Sequence, residues 1–490
     1  MNNEQAKNYL SVDNFYTKVK EDIEKNINSD FNLAIMTIDL DHFNYINDLF
    51  GYEVGDLILQ TLTNYFLITL NENSIFSRIH ADIFAFYIRF KEYPEIAQTF
   101  IKLTNWKAAL KDILPPHYNL TASGGIVMIQ EIASISSLVD KANYARKKAK
   151  ECLGNSFRFY DEKMDVELQW KKIVTLSMES ALINHEFEMY LQPKVLIKNS
   201  QIIGAEALAR WKNPKYGLIY PDNFISILEQ NGFIKQLDFF MLEEACQFLK
   251  ESLIKGIPQL PISINFSKIH LSSEYLVDHI FQTVKQFNID TKLIEIEFTE
   301  SLSIVDFERL IEVASGLKLL GFRVSLDDFG SAYSSLSCLK ELPIDIIKLD
   351  KAFLNSSTDT EKGKMIITKV IELIKSLRMT PVMEGIETEE QADFLKKLSC
   401  DLGQGYFYAK PMTVTDYIEY LKKGDIAFDI QEYFSSEKGN KKSHSQVVPE
   451  EFLMDNWELY TLGKNIDMGL MKGYLDGEGT VQYVNDRALE

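Results

Sequence analysis

From residue 187 onward the chain repeats one pattern eight times: a short apolar run, an acid or amide at or near its end, then in most cases an amphipathic stretch. The runs are EMYLQPKV, IIGAEALARW, PISINFS, LIEIEFTE, FRVSLDD, IDIIKLD, PVMEGIE and LGQGYFYA. Helical spacing between them, as over 238–253, 302–320 and 362–377, leaves few architectures open. Strands alternating with helices build parallel sheets, and eight such units predict a closed (β/α)8 barrel. The span 187–429 matches the roughly 250 residues such a barrel needs.

The chain has 490 residues, too many for the barrel alone. Residues 1–161 read as a separate α/β domain. It has a strand LAIMTIDL, helical stretches over 42–50, 56–70 and 94–113, and a hairpin SIFSRI/IFAFYIRF. The strand NLTASGGIVMI, a helix over 135–152 and the short strand FRFY complete it. Residues 162–184 read as a connecting helix, and the polar run at 430–450 as a linker. Beyond it, KGYLDGEGTVQYVND within 451–490 reads as a hairpin that resembles the opening of a PAS sensor domain, cut short. Two strands cannot bury a core alone.

A net charge of −19 argues against a generic nucleic-acid-binding surface. It leaves room for an anionic substrate, because bound divalent cations reverse the local field. The polar start MNNEQAKNYLSVDN lacks signal-peptide order, and no apolar run is long enough to span a bilayer. Cys152, Cys246, Cys338 and Cys400 lack CxxC spacing, which fits a reducing, cytoplasmic setting rather than disulfides or zinc.

The acids carry the chemistry. Glu206, Asn265, Glu297, Asp327, Asp328, Asp350 and Glu384 fall at or near the ends of different predicted strands. Active sites of such barrels form at that end, from several strands at once. One acid there is commonly a helix cap or a salt-bridge partner. Five or more converging would be costly to keep ionised without cations. Hard oxygen donors select magnesium or manganese and do not separate the two. Adjacent Asp327 and Asp328 suit two ions about 3.5–4 Å apart, as in in-line phosphoryl displacement.

The same residues carry a family resemblance. Glu206-Ala207-Leu208, with Arg210 and Trp211, resembles the signature of the EAL cyclic di-GMP phosphodiesterases. YLQPKV, SINFS, EFTES, SLDDFG, IKLD, MEGIET and GQGYFYAKP follow in the family's order across the whole barrel. The resemblance implies two Mg²⁺ or Mn²⁺ ions held by Glu206, Asn265, Glu297, Asp327 and Asp328. Glu384 would be a further ligand or would help activate the water, which Lys348 would orient. Gln192 and Arg210 would grip cyclic di-GMP, with Asp350 and Gln404 in support. Glu300 would brace the loop after Asp327, and Glu387 would stand close by. The implied reaction is hydrolysis to linear pGpG by a homodimer; the alternative is a catalytically silent receptor that signals through a partner. One departure is DDFGSAYSS where the family reads DDFGTGYSS. Ser331 keeps a hydroxyl, whereas Ala332 adds a Cβ that costs about 1 kcal/mol if φ there is positive.

IDLDHFNYINDLFGYEVGD resembles the first half of a GGDEF cyclase domain, with Asp39 at a metal position and Asn47 and Asp56 where the family reads guanine. The signature itself reads His80-Ala81-Asp82-Ile83-Phe84. Both glycines are gone, and Ile83 can neither accept a hydrogen bond nor bind a cation. Asp82 survives, so the expectation is a degenerate domain without cyclase activity, with GTP as its candidate regulator. The family's inhibitory RxxD positions hold Asn71 and Ser74.

Overall fold

A computed structural model describes residues 9–426, apart from 72–73, 151, 153, 301–303, 331–338, 340 and 358–360, together with 471–472 and 483–484. Ser331 and Ala332, most of the PAS-like stretch and the 430–450 linker lie outside the described residues. The chain forms two compact units, Met1–Ile173 and Val174–Glu490.

The first unit runs α1 (Val12–Asn26), β1 (Asn32–Leu40), α2 (Phe43–Phe50), α3 (Tyr52–Thr69), β2 (Ser74–His80), β3 (Ile83–Phe90), α4 (Tyr93–Leu103), β4 (Ala122–Ile129), α5 (Ile135–Ala149) and β5 (Ser156–Phe159). Its five-stranded sheet has the order β2-β3-β1-β4-β5. Strand β1 lies at the centre, antiparallel to β3 and β4, and is apolar on both faces. Alternation along β1 puts Ala34, Met36 and Ile38 in one core and Leu33 and Ile35 in the other. The helix expected over 94–113 ends at Leu103. Thr104 turns its hydroxyl back onto Phe100 O, and the buried Trp106 indole donates to Leu120 O, so the chain after Leu103 is pinned as turns.

Helix α6 (Glu162–Ile183) spans the boundary between the units. The barrel strands are β6 (Phe187–Leu196), β7 (Ile202–Asn213), β9 (Ile262–Asn265), β10 (Ile294–Thr299), β11 (Arg323–Phe329), β12 (Ile346–Leu349), β13 (Thr380–Met383) and β14 (Leu402–Gly403). Short β8 (Gly217–Ile219) and β15 (Met412–Thr413) flank them. The helices are α7 (Ile225–Asn231), α8 (Ile234–Ile254), α9 (Leu276–Phe287), α10 (Ile304–Leu319), α11 (Ala352–Ser357), α12 (Glu361–Ser376), α13 (Glu389–Lys397) and α14 (Val414–Lys423).

The sheet order β6-β14-β13-β12-β11-β10-β9-β7 closes through a β6–β7 pairing into an eight-stranded barrel. Its first strand is reversed: β6 is antiparallel to both β7 and β14, while the other seven run parallel. No helix therefore separates β6 from β7, and a tight turn with Ser200 at φ +60° joins them. The two terminal strands at 471–472 and 483–484 pair antiparallel, as the expected hairpin requires.

Candidate functional site

The barrel's acids meet around one lysine. Lys348, on β12, has no solvent exposure and places Nζ 3.2 Å from Glu206, 2.8 Å from Glu297, 3.0 Å from Asp327 and 2.8 Å from Glu384. These four carboxylates arrive from β7, β10, β11 and the loop after β13. Burial alone would push the lysine's pKa down; Asp327, Glu206, Glu297 and Glu384 raise it well above its ordinary value. Lys348 is therefore a fixed ammonium.

One ammonium does not balance four acids. Burial, then the neighbouring acids, push Asp327 well above the usual carboxylate range despite Lys348. Glu384 is raised by burial in the same way. The cluster therefore has an excess of negative charge that further cations would relieve.

Two groups have metal-ligand spacing, Glu206/Glu297/Asp327 and Asp327/Asp328/Glu384, with donor atoms within 4.8 Å of one another. They share Asp327, which marks it as the residue able to serve two ions. Consecutive strand residues ordinarily face opposite sides. Here the β11–β12 register slips between Leu326 and Phe329, and Asp328 takes φ +57° with its N–H donating to Asp327 Oδ1 at 2.8 Å. That slip lets two adjacent acids approach one place. Aspartate is among the few side chains that tolerate such a φ.

Amides frame the acids. Asn265 donates to Glu206 Oε1 at 2.8 Å, and Gln404 donates to Glu206 Oε2 at 2.8 Å and to Gln192 Oε1 at 2.9 Å. Gln404 Oε1 is buried without a hydrogen-bond partner, a spare hard acceptor in the site wall. Glu300 accepts from Gly330 N at 2.7 Å, bracing the start of the loop after Asp328. Gly330 itself sits at φ +94°, where a Cβ would meet the Phe353 ring at 2.1 Å.

Arg210 lies toward the end of β7 with Tyr190 and Tyr220 on its guanidinium, 5.6 and 5.4 Å from the ring centroids. Asp350 caps α11 by accepting from Ala352 N at 2.7 Å, and its charge, after burial, pushes Asp328 up. Glu387 is exposed just before α13 and stands outside the two metal-spaced groups.

Two residues of the barrel escaped the sequence reading. Lys194 and Glu295 are buried, and Lys194 Nζ lies 3.1 Å from Glu295 and 2.8 Å from Glu297. The available signal was strand alternation: Lys194 is two residues from Gln192, and Glu295 two from Glu297. Burial would raise the Glu297 carboxyl, but Lys194 and then Lys348 overcome it and hold it well below the usual range.

In the first unit, buried Asp39 is held by the Arg146 guanidinium and by Lys150 Nζ at 3.0 Å, both cations coming from or just after α5. Asp82 sits beside it, its pKa raised to about 6 by burial and then by Asp39. Ala81 adopts φ +43°, and its carbonyl accepts from Arg78 Nε. Asn47 leans over Gly55, and Asp56 is exposed. Asn71 and Ser74 bond each other at 2.7 Å.

Residues 176–411 match the EAL domain family and residues 12–156 the diguanylate cyclase GGDEF domain family. The chain is 29% identical to the bifunctional diguanylate cyclase/cyclic di-GMP phosphodiesterase MucR of Pseudomonas aeruginosa, over 81% of this chain and 58% of MucR. It is 29% identical to the cyclic di-GMP phosphodiesterase NbdA of the same organism, over 80% of this chain and 50% of NbdA. The chain thus spans between half and three fifths of the length of these relatives. A solved structure of the Pseudomonas aeruginosa MucR phosphodiesterase in complex with c-di-GMP is 32% identical, covering 50% of this chain and 99% of that one, at a TM-score of 0.48. The S helix-GGDEF-EAL structure of Vibrio cholerae LapD shares the fold, at TM-score 0.52 and 20% identity over 80% of this chain and 92% of that one. The chain belongs to the family of proteins that carry a GGDEF domain followed by an EAL domain.

Proposed function

We propose that this chain is a metal-dependent phosphodiesterase that hydrolyses cyclic di-GMP to linear pGpG. The observation that carries the reading is Lys348 at the centre of Glu206, Glu297, Asp327 and Glu384, with two metal-spaced groups sharing Asp327. MucR and NbdA, named for this activity, support it.

Glu206, Asn265, Glu297, Asp327, Asp328 and Glu384 would hold two Mg²⁺ or Mn²⁺ ions, and their all-oxygen donor set fits either. When bound, such ions lower the pKa of water and stabilise negative charge on phosphoryl oxygens. Arg210 grips the anionic substrate, its guanidinium placed by cation–π contacts with Tyr190 and Tyr220. Gln192 and Gln404 hold each other and Glu206 in place. Water adds to one phosphorus, the P–O3′ bond breaks, and the 3′ oxygen departs with a proton. Lys348, a fixed cation in a water-poor site, offsets the charge that develops in that step. Glu384, which reaches the cluster from the loop after β13, would take the proton from water.

We read the first unit as a regulator rather than a cyclase. The signature turn has Ala81 at positive φ where glycine would be unstrained, and Ile83 where an acid is needed. GTP is its proposed effector, with Lys150 and Arg146 beside Asp39 and Arg78 on the signature turn as phosphate-compatible cations.

The test is turnover of cyclic di-GMP with Mg²⁺ or Mn²⁺, with and without GTP, beside a Glu206→Ala control. Metal-dependent pGpG that the control abolishes supports the enzyme, and acceleration by GTP supports the regulator. Tight binding without product under both metals would make the chain a receptor instead.

A further inference from the structure

Glu297 is held at both oxygens. Oε1 accepts from Lys194 Nζ at 2.8 Å and Oε2 from Lys348 Nζ at 2.8 Å. The two lysines are not equivalent. Lys348 is shared by all four converging carboxylates, whereas Lys194 bonds Glu297 and Glu295. Lys194 pairs in register with Gly204, two residues before Glu206, and Glu295 lies two before Glu297 on β10. The Lys194–Glu295 pair thus forms a layer beneath the acids, outside both metal-spaced groups.

We infer that Lys194, steadied by Glu295, is a positioning residue that reserves Oε1 of Glu297 and directs a divalent cation to Oε2, which the cation would have to share with, or take from, the already four-way-shared Lys348. The inference rests on the metal-dependent reading in taking Glu297 as a ligand. Its chemical consequence is selectivity. Mg²⁺ requires near-octahedral geometry, whereas Ca²⁺ takes six to eight oxygens and readily accepts both oxygens of one carboxylate. A glutamate restricted to one oxygen suits the smaller ion and denies Ca²⁺ an extra ligand. A pair that merely neutralised buried charge would have no such preference.

The experiment compares the full chain with Lys194→Met/Glu295→Gln and with Glu295→Gln alone. The double variant removes one positive and one negative charge, so the buried balance is kept. Glu295→Gln keeps the Lys194 bond to Glu297. Calorimetric titration with Mg²⁺ and with Ca²⁺ reads the ratio of affinities without any turnover. The expected result is a roughly tenfold shift of that ratio toward Ca²⁺ in the double variant, the scale of outer-shell effects on metal sites, and a smaller shift in the same direction in Glu295→Gln, which loses the charged brace on Lys194. An unchanged ratio in a double variant that melts cooperatively overturns the inference. Should that variant not fold, a crystal structure of the wild type with Ca²⁺ decides. One Glu297 oxygen on the ion and the other on Lys194 supports the lock, and both oxygens on the ion overturn it. Wild type that binds neither cation overturns the metal-site reading itself, and the lock with it.

Discussion

Lys348 and Glu297 form an ion pair at 2.8 Å in which neither side chain touches solvent. Such a pair is strongly coupled, and removing one partner strands the other's charge in the interior. Lys348→Met should reduce kcat by about 10²–10³, the effect of removing a preorganised stabilising group. It should also lower the melting temperature of the metal-free chain, because four acids lose their shared cation. Turnover assays and thermal melts with and without Mg²⁺ check both parts.

Chelation should destabilise the protein in the barrel. Asp327 and Glu384 are pushed up by burial and by neighbouring acids, so added divalent cations relieve repulsion present in the native fold. Binding at about 100 times Kd stabilises by about 2.7 kcal/mol. Titration of Mg²⁺ into a chelator-stripped sample should therefore raise its melting temperature by several degrees. The shift should vanish in Asp327→Asn, whose residue is common to both metal-spaced groups.

Arg210 should act on binding more than on chemistry. Its guanidinium lies over the rings of Tyr190 and Tyr220 in cation–π contact rather than joining the acid cluster. Arg210→Ala should raise KM by roughly 10- to 100-fold with a smaller loss in kcat, the pattern of lost uniform binding. Steady-state kinetics separate the two constants.

Gly330→Ala should couple a local clash to a loss of activity. The new Cβ would enter the Phe353 ring, and the φ of +94° is one that L residues resist. Because Gly330 N is held by Glu300, displacement reaches Asp328 within two residues. A drop in kcat greater than tenfold, with weaker Mn²⁺ binding, is the expected outcome. Wild-type kinetics in this variant would show that the loop yields without moving the acids.

Asp82 gives the first unit a pH signature. Its pKa rises from 3.8 to about 6, chiefly by burial and then by Asp39. A carboxyl raised on folding contributes its stability below the unfolded pKa and loses it as pH rises through the folded value. Wild type should therefore lose part of its stability between about pH 4 and 6, and Asp82→Asn should flatten that part of the curve. Melting temperature against pH for the two full-length proteins tests the slope.

Most of the barrel was legible because apolar runs and acids recur in strict order, and the acids of β7, β10 and β11 do meet, although Glu206 stands mid-strand in Ile202–Asn213 rather than at the strand end expected. The reversal of β6 was not legible, since alternation specifies a strand's faces and not its direction. That Asp327 and Asp328 act together was expected from their adjacency, but the slip in register that lets them approach is announced by no single residue. Lys194 escaped because its partners lie more than 100 residues away, at Glu295 and Glu297. Arg146 hid for the same reason: it meets Asp39 across 107 positions of chain. Long charged side chains are ordinarily solvated, so their burial is visible only once the fold assembles their counter-charges.

The reversed first strand decides where the chain enters the barrel. Helix α6 ends at Ile183, and only residues 184–186 precede β6. Because β6 runs opposite to β7, its opening residues lie beside the far end of β7, with Phe187 facing Trp211 and Glu188 facing Arg210. Glu186 fastens the entry by accepting from Trp211 Nε1 at 2.8 Å and from Lys212 N through its carbonyl at 2.7 Å. A parallel first strand would have delivered the helix to the closed floor. Here the helix is wired to the rim, one strand pairing from the arginine proposed to hold the substrate, so a turn or tug along α6 would reach the mouth without crossing the barrel's packed interior.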